Sequence, residues 1–284
     1  MFDYNKAFSR NLGWITESER DLIKNITIAT AGCGGVGGEH LVTLSRLGYS
    51  NFKISDFDIF EIHNFNRQAL AFVSTIDKAK VDVAKDVLKD INPDSNITSF
   101  PQGVNEDNVD EFLDGVDIYA DSLDINAMDI RILIFKKCRD KNIPIVIAGP
   151  LGMGTSFMCF DHKKINIIDY FDFKETDSKQ IKVIKFLVAL SPKLLHVRSL
   201  IDDSYVDIAN EKTPSTPIGV KAASAALCSQ VLKLSLNRGD AITAPRSMQV
   251  DFYSNKSCIT KLRRGNKGLI QKLKIAFIKY KYST

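Results

Sequence analysis

Ile26-Thr27-Ile28-Ala29-Thr30-Ala31-Gly32-Cys33-Gly34-Gly35-Val36-Gly37-Gly38 is the stretch whose reading decides the fold. Its first six residues are small or β-branched, as a buried strand requires. The next seven fit G-x-G-x-x-G and lead into a helical repeat. In that repeat Leu41, Leu44 and Leu47 share one face, and Gly48 supplies the stop. A strand that passes through glycines into a helix start gathers free backbone N–H groups at the positive end of a helix dipole. That combination suits a phosphate. The same pattern without a ligand is a tight strand-to-helix turn.

Outward from this turn, strands and helices alternate. The pattern predicts strands over Ile26–Ala31, Phe52–Ser55, Ile97–Phe100, Val116–Ala120 and Ile143–Ala148. It predicts helices over Val36–Leu47, Ala79–Ile91, Glu106–Leu113 (with Asn105 as N-cap) and Ala127–Lys141. Repeated βα units of this length imply a Rossmann-like, doubly wound α/β fold. Its sheet would be mainly parallel, with helices on both faces and ligands outside the carboxyl ends of the strands. The second half is less regular. Thr155–Phe160 and Ile165–Ile168 read as a strand pair, Ile181–Leu190 and Val220–Leu236 as helices, Met248–Phe252 and Ile259–Leu262 as strands, and Leu269–Tyr280 as a final helix. The expected division is a nucleotide-binding core over 1–154 and a C-terminal extension of the same domain over 155–284. The extension would comprise a crossover segment (161–219), a helix (220–236) and a basic tail (252–284).

The chain has 284 residues, 44% apolar and 25% charged, which is ordinary for a globular protein. No apolar run reaches the roughly 18 residues of a membrane span, and the first residues lack the pattern of a signal peptide, so a cytoplasmic protein is expected. Cys33, Cys138, Cys159, Cys228 and Cys258 are scattered and form no CxxC, which argues against a disulfide framework and against structural zinc. Charge is uneven. After Asp251 there is no acidic residue, while nine lysines and arginines lie between Lys256 and Lys281. Such a tail is either a solvated basic helix or a docking surface for an acidic partner, RNA or an anionic membrane surface.

Asp56 follows the second predicted strand, 18 residues after Gly38, where an acidic side chain can hold a ribose hydroxyl. To this point a dinucleotide-dependent oxidoreductase fits equally well. The next stretch, Asp56-Phe57-Asp58-Ile59-Phe60-Glu61-Ile62-His63-Asn64-Phe65-Asn66-Arg67-Gln68, separates the two. Here the sequence resembles the ThiF/MoeB/HesA family, which includes the adenylation domains of ubiquitin-activating enzymes. The shared motifs are the G-x-G-G-[LV]-G turn, D-x-D at Asp56 and Asp58, and N-x-x-R-Q at Asn64, Arg67 and Gln68. Lys80 and the D-x-x-D of Asp121-Ser122-Leu123-Asp124 complete them. The resemblance runs from about Phe8 to Gly154.

The resemblance implies an ATP-dependent adenylyltransferase. It would convert a substrate carboxylate to an acyl-adenylate and release pyrophosphate. Gly32, Gly34, Gly35, Gly37, Asp56, Asp58, Asn64, Gln68 and Leu123 would bind the nucleotide. Arg67 and Lys80 would neutralise the triphosphate, and Asp124 would help hold Mg²⁺. Arg10, in Phe8-Ser9-Arg10-Asn11, matches an arginine that in the family reaches the ATP of a neighbouring subunit, which implies a homodimer. Read singly, each residue also has an ordinary role. Asp56 could cap a turn, Arg67 pair with an acid, Lys80 sit exposed in a first helical turn, and Asp124 cap the next helix.

The chain departs from the family in two respects. It lacks the paired CxxC zinc ligands, so no zinc is expected. It also has no cysteine between Asp161 and Gly219 to accept an acyl group as a thioester. Acceptors implied by the family are the C-terminus of a ubiquitin-like or sulfur-carrier protein, a peptide, or a carboxylate on a modified tRNA base that is closed into a ring. A non-catalytic ATP-binding scaffold is the further alternative. The glycine-rich strip Ala148–Gly154 reads either as a path for a substrate tail or as a simple turn.

Overall fold

A computed structural model describes residues 1–161, 164–207 and 213–282. Its contacts separate into two units. The first is Met1–Ser122 with Ser224–Ala241, and the second is Leu123–Ala223 with Ile242–Thr284.

The first unit contains α1 (Tyr4–Ala7), α2 (Glu17–Lys24), β1 (Thr27–Ala31), α3 (Gly35–Leu47) and β2 (Asn51–Ser55). These are followed by α4 (Lys80–Ile91), β3 (Asn96–Phe100), α5 (Val109–Phe112) and β4 (Ile118–Asp121). Its strands are parallel and run in the order β3-β2-β1-β4. β1 therefore lies where the winding reverses, the position at which open α/β sheets place ligands. Ile28, Ala29, Phe52 and Ile54 fill the core beneath it. Removing an isoleucine or phenylalanine of this kind from water contributes roughly 1.5–3 kcal/mol. At the chain start, Thr16 and Glu19 close a reciprocal capping box on α2, a device that contributes about 1 kcal/mol.

The second unit contains α6 (Met128–Asp140), β5 (Ile145–Leu151), β6 (Gly154–Phe160), α7 (Ile167–Phe171) and α8 (Lys179–Leu190). α9 (Pro217–Ser235) begins in this unit, and its residues from Ser224 belong to the first. β7 (Arg246–Asp251), β8 (Lys256–Lys261) and α10 (Leu269–Tyr282) complete it. Here β5-β6-β7-β8 pair in antiparallel order. The α/β class is as expected: parallel strands carrying the glycine turn, extended by antiparallel strands and helices.

Two local expectations are corrected, and a third is made specific. The helix predicted over Glu106–Leu113 is only Val109–Phe112, because the Asn105 carboxamide accepts from the amides of Asp107 and Asn108 and holds the preceding residues in a turn. Ile165–Ile168 is not a strand. Asn166 caps the short helix α7 through the amide of Ile168, and β6 pairs with β5 and β7 instead. The strip Ala148–Gly154 is strand and hairpin, with Leu151 opposite Gly154. A Cβ on Gly154 would lie 2.0 Å from the Val250 carbonyl oxygen, so its missing side chain makes room for β7.

One buried group gives the fold an acid-sensitive point. His40 on α3 is fully buried, and neither ring nitrogen has a hydrogen-bond partner. Burial drives its pKa down from 6.5 to about 3. The unfolded chain therefore binds a proton that the folded chain refuses. This contribution is complete above about pH 6.5 and is lost as the pH falls from there toward 3. At pH 4 the loss is about 3 kcal/mol. His40→Leu is expected to remove it, so thermal melts at pH 7 and pH 4 should differ much less in the variant than in the parent. Equal slopes in the two proteins would exclude His40 as the source.

Candidate functional site

The site in the first unit is built from the ends of β1, β2 and β4. Gly32 leaves β1 with φ of +95°, a conformation that disfavours any side chain, and its N–H donates to Ser55 O at 2.7 Å. Cys33 N–H then donates to Asp56 Oδ2 at 2.6 Å. α3 begins at Gly35, and its N-cap Gly34 supplies no side-chain hydrogen bond. Orphan amides at the helix start are thus left without a capping side chain. Behind them the packing is close. A Cβ on Gly37 would lie 1.8 Å from Gly32 O and 3.0 Å from Ser122 Oγ. The Ser122 hydroxyl shares its proton between Ala31 O and Gly32 O, at 2.7 and 2.8 Å. β4 therefore fixes the turn from the other side.

Asp56 organises the rim. Besides the Cys33 amide it accepts the amide of Asp58 at 2.9 Å, so its carboxylate ties the glycine turn to the loop after β2. Burial pushes its pKa above the usual carboxylate range, and the two amide bonds oppose that shift. The bland turn-cap reading and the nucleotide reading of Asp56 coexist in this geometry.

Asp58 and Lys80 form an ion pair at 2.8 Å, and Lys80 N–H also donates to Asp58 O at 2.9 Å. Lys80 is not the exposed first-turn residue of the ordinary reading. It is 7% exposed. Asp58→Asn leaves that buried ammonium without its counter-charge. Because the Asp58 side chain is half exposed, the expected loss is about 1 kcal/mol, well short of that for a fully buried pair. A fall in melting temperature of about 2–4 °C would register it, and an unchanged melt would mean water already screens the pair.

Asn64 is buried, and its Oδ1 accepts the Glu61 amide at 3.0 Å while its carbonyl accepts the amides of Arg67 and Gln68. The carboxamide of Gln68 packs against Gly34, and its Oε1 is buried without a hydrogen-bond partner. Arg67 Nη1 donates to His63 O at 3.2 Å and to Asn66 Oδ1 at 3.0 Å. Among the described residues Arg67 makes no ion pair, so its charge is held in position by neutral oxygens.

The remaining predicted residues are Arg10, Leu123 and Asp124. Arg10 is exposed in the short 3₁₀ turn Ser9–Asn11, and Asn11 Nδ2 donates to Arg46 O and Leu47 O. That is the opposite end of α3 from the glycine turn, roughly 20 Å away along the helix. Leu123 and Asp124 begin the second unit. Asp124 Oδ1 accepts from the backbone and side-chain nitrogens of Asn126, at 2.9 and 3.0 Å, and α6 takes Ala127 as its N-cap. Asp124 is therefore not the helix cap that its position suggests.

Arg131 is a residue the sequence reading missed. It is buried, donates to Asp124 O at 3.1 Å and to Leu123 O, and lies 4.7 Å over the Phe186 ring. Its only sequence signal is an arginine on the apolar face of α6.

No group of three or more His, Cys, Asp or Glu side chains forms a ready-made metal site among the described residues. Cys228 on α9 is buried, and its thiol is pushed up to about 12. It is not a thiolate at neutral pH.

Known proteins resemble this chain in both sequence and fold. Over 140 residues it is 34% identical to the tRNA threonylcarbamoyladenosine dehydratase of Bacillus subtilis, covering 49% of this chain and 54% of the relative. The match spans 54% of that relative's length and between 22% and 65% of the length of the other relatives. The crystal structure of E. coli MccB with ATP superposes with a TM-score of 0.67 at 19% identity, over 95% of this chain and 75% of that one. The E. coli tRNA N6-threonylcarbamoyladenosine dehydratase TcdA gives a TM-score of 0.59 at 20% identity, over 82% and 95% of the two chains. At these identities the superpositions speak for the fold. Residues 8–268 match the ThiF family, and the chain belongs to that family.

Proposed function

We propose that the chain uses ATP to adenylate a substrate carboxylate. The observation that carries this reading is the uncapped start of α3 at Gly34, beside the partnerless Oε1 of Gln68 and the amide bridge through Asp56. Free amides at a helix N-terminus suit phosphate oxygens, and an unpartnered buried carboxamide oxygen suits a donor on a bound ligand. In the reaction a carboxylate oxygen of the acceptor bonds to the α-phosphorus, the α–β bridging P–O bond breaks, and pyrophosphate leaves with the electron pair. The acceptor carboxylate is already ionised at neutral pH, so no general base is required. Arg67 would stabilise charge on the phosphates. Lys80, buried and held by Asp58, would offer a pre-oriented ammonium. Asp56 would take the ribose. Asp124 is the proposed carboxylate ligand of Mg²⁺, which when bound neutralises phosphate charge and takes most of its ligands from water and the phosphates. Arg10 is proposed to act on a neighbouring subunit's nucleotide in a homodimer.

The acceptor has two readings. A C-terminal carboxylate of a ubiquitin-like or sulfur-carrier protein or of a peptide is one. A carboxylate on a modified tRNA base is the other, and it is favoured by the name of the 34%-identical Bacillus relative. Exchange of labelled pyrophosphate into ATP, assayed separately with carrier proteins, peptides and tRNA, distinguishes them. Calorimetry with ATP and NAD belongs beside it. Exchange with any carboxylate class supports adenylation. Tight NAD binding without ATP binding overturns it, and ATP binding with no exchange on any class would make the chain a scaffold.

A further inference from the structure

The proposed adenylation leaves α10 unused. Leu269, Ile270, Leu273, Phe277 and Tyr280 on this helix are each at least 63% exposed. At 3.6 residues per turn they fall within an arc of about 100°, forming one continuous apolar stripe. The opposite face anchors the helix. Gln271 is buried there, donates to Val188 O at 2.9 Å, and α10 packs on α8. Lysines line both edges of the stripe. Lys272 and Lys279 lie on one side and are exposed. Lys274 and Lys281 lie on the other, where Lys274 reaches Pro192 O and Lys281 pairs with Asp203 at 2.6 Å. Lys256, Lys261, Arg263 and Arg264 precede the helix, and no acidic residue follows Asp251.

We infer that α10 lies in the plane of an anionic phospholipid surface. The leucine, isoleucine and phenylalanine side chains enter the acyl boundary, and the exposed Lys272 and Lys279 meet the headgroups. Lysine stems extend along apolar surface while their ammonium groups stay in water, which fits their place at the rim. Nucleic acid would satisfy the charge and leave the aliphatic stripe in water. A second copy of the same face would bring two lysine-edged surfaces together against their own repulsion. No helix among the described residues is long and apolar enough to cross a bilayer, so the contact is a surface one.

The test is co-flotation of the full chain with phosphatidylcholine vesicles, with and without 30% phosphatidylserine as a chosen probe composition. The expected result is binding to the anionic vesicles that is weakened by salt. Leu273→Glu with Phe277→Glu should reduce it about tenfold or more, and Lys272→Glu with Lys279→Glu several-fold. All four positions are exposed, and circular dichroism checks that the variants fold. Absence of binding to anionic vesicles overturns the inference, as does binding indifferent to the Leu273/Phe277 pair. RNA binding or self-association that depends on these residues, without vesicle binding, also overturns it. Loss of pyrophosphate exchange in the same variants is not expected, so failure here and failure of the adenylation reading are separate results.

Discussion

Arg67→Ala is expected to lower ATP–pyrophosphate exchange by roughly 10²–10³-fold, equivalent to about 3–4 kcal/mol of lost transition-state stabilisation, while leaving the melting temperature within about 2 °C of the parent. The two halves of this expectation have separate causes. Arg67 is half-buried, and its hydrogen bonds go to His63 O and Asn66 Oδ1 in its own loop. Truncation leaves oxygens that water can reach, and it breaks no ion pair among the described residues. The fold therefore loses little. The proposed reaction loses a planar, permanently charged donor set next to phosphates whose charge grows as pyrophosphate departs. Arg67→Lys keeps the charge without the fork and should recover part of the rate. Exchange within threefold of the parent in the alanine variant would remove Arg67 from the reaction.

Gly37→Ala carries the second large effect, and it acts through the fold. Alanine favours a helix interior over glycine by about 1 kcal/mol, so on propensity alone the change stabilises α3. The added methyl would stand 1.8 Å from Gly32 O and 2.8 Å from Gly32 C. Those atoms are backbone of the turn itself, whose amide is bonded to Ser55 O, and they cannot swing aside as a side chain would. The turn must move or α3 must lift from β1. A cost of about 3 kcal/mol or more follows, with a fall in melting temperature of roughly 6–12 °C and loss of ATP binding by calorimetry. Gly38→Ala is the comparison. Its methyl meets Leu70 Cγ and Cys33 O at 3.3 Å, a contact that can relax by a few tenths of an ångström. Equal melts for the parent and Gly37→Ala would show that the turn is softer than this geometry requires.

The legible parts of this chain are those set by neighbours in sequence. β1, the glycine turn and α3 follow from periodicity and backbone freedom, and they stand where the pattern predicts within a residue. The illegible parts depend on what the chain meets after folding. Lys80 has the local look of a solvated helix-start lysine, and only the return of the Asp58 carboxylate explains its burial. Ile165–Ile168 has the composition of a strand, but Asn166 can cap a helix, and that local hydrogen bond prevails over β-branching. Arg131 gave only a weak signal, an arginine on an apolar helix face, because the two carbonyls it bonds lie seven and eight residues upstream. At the site, Asp56 was legible as a carboxylate after β2. Its amide bridge between the turn and Asp58 was not, since that requires the register of β1 against β2.

The late return of Ser224–Ser235 to the first unit has a consequence for biosynthesis. Tyr49 donates to Ser235 Oγ at 2.7 Å, and Cys228 Sγ lies 3.7 Å from His40 O, contacts that close over 186 and 188 residues. When Ser122 leaves the ribosome, the parallel strands of this unit exist but one flank of α3 is bare. More than a hundred residues must still be translated before the covering helix arrives, an interval of roughly 5–20 s at ordinary elongation rates. For that interval the nascent nucleotide fold exposes apolar surface, which makes it a natural client for a chaperone that acts at the tunnel exit.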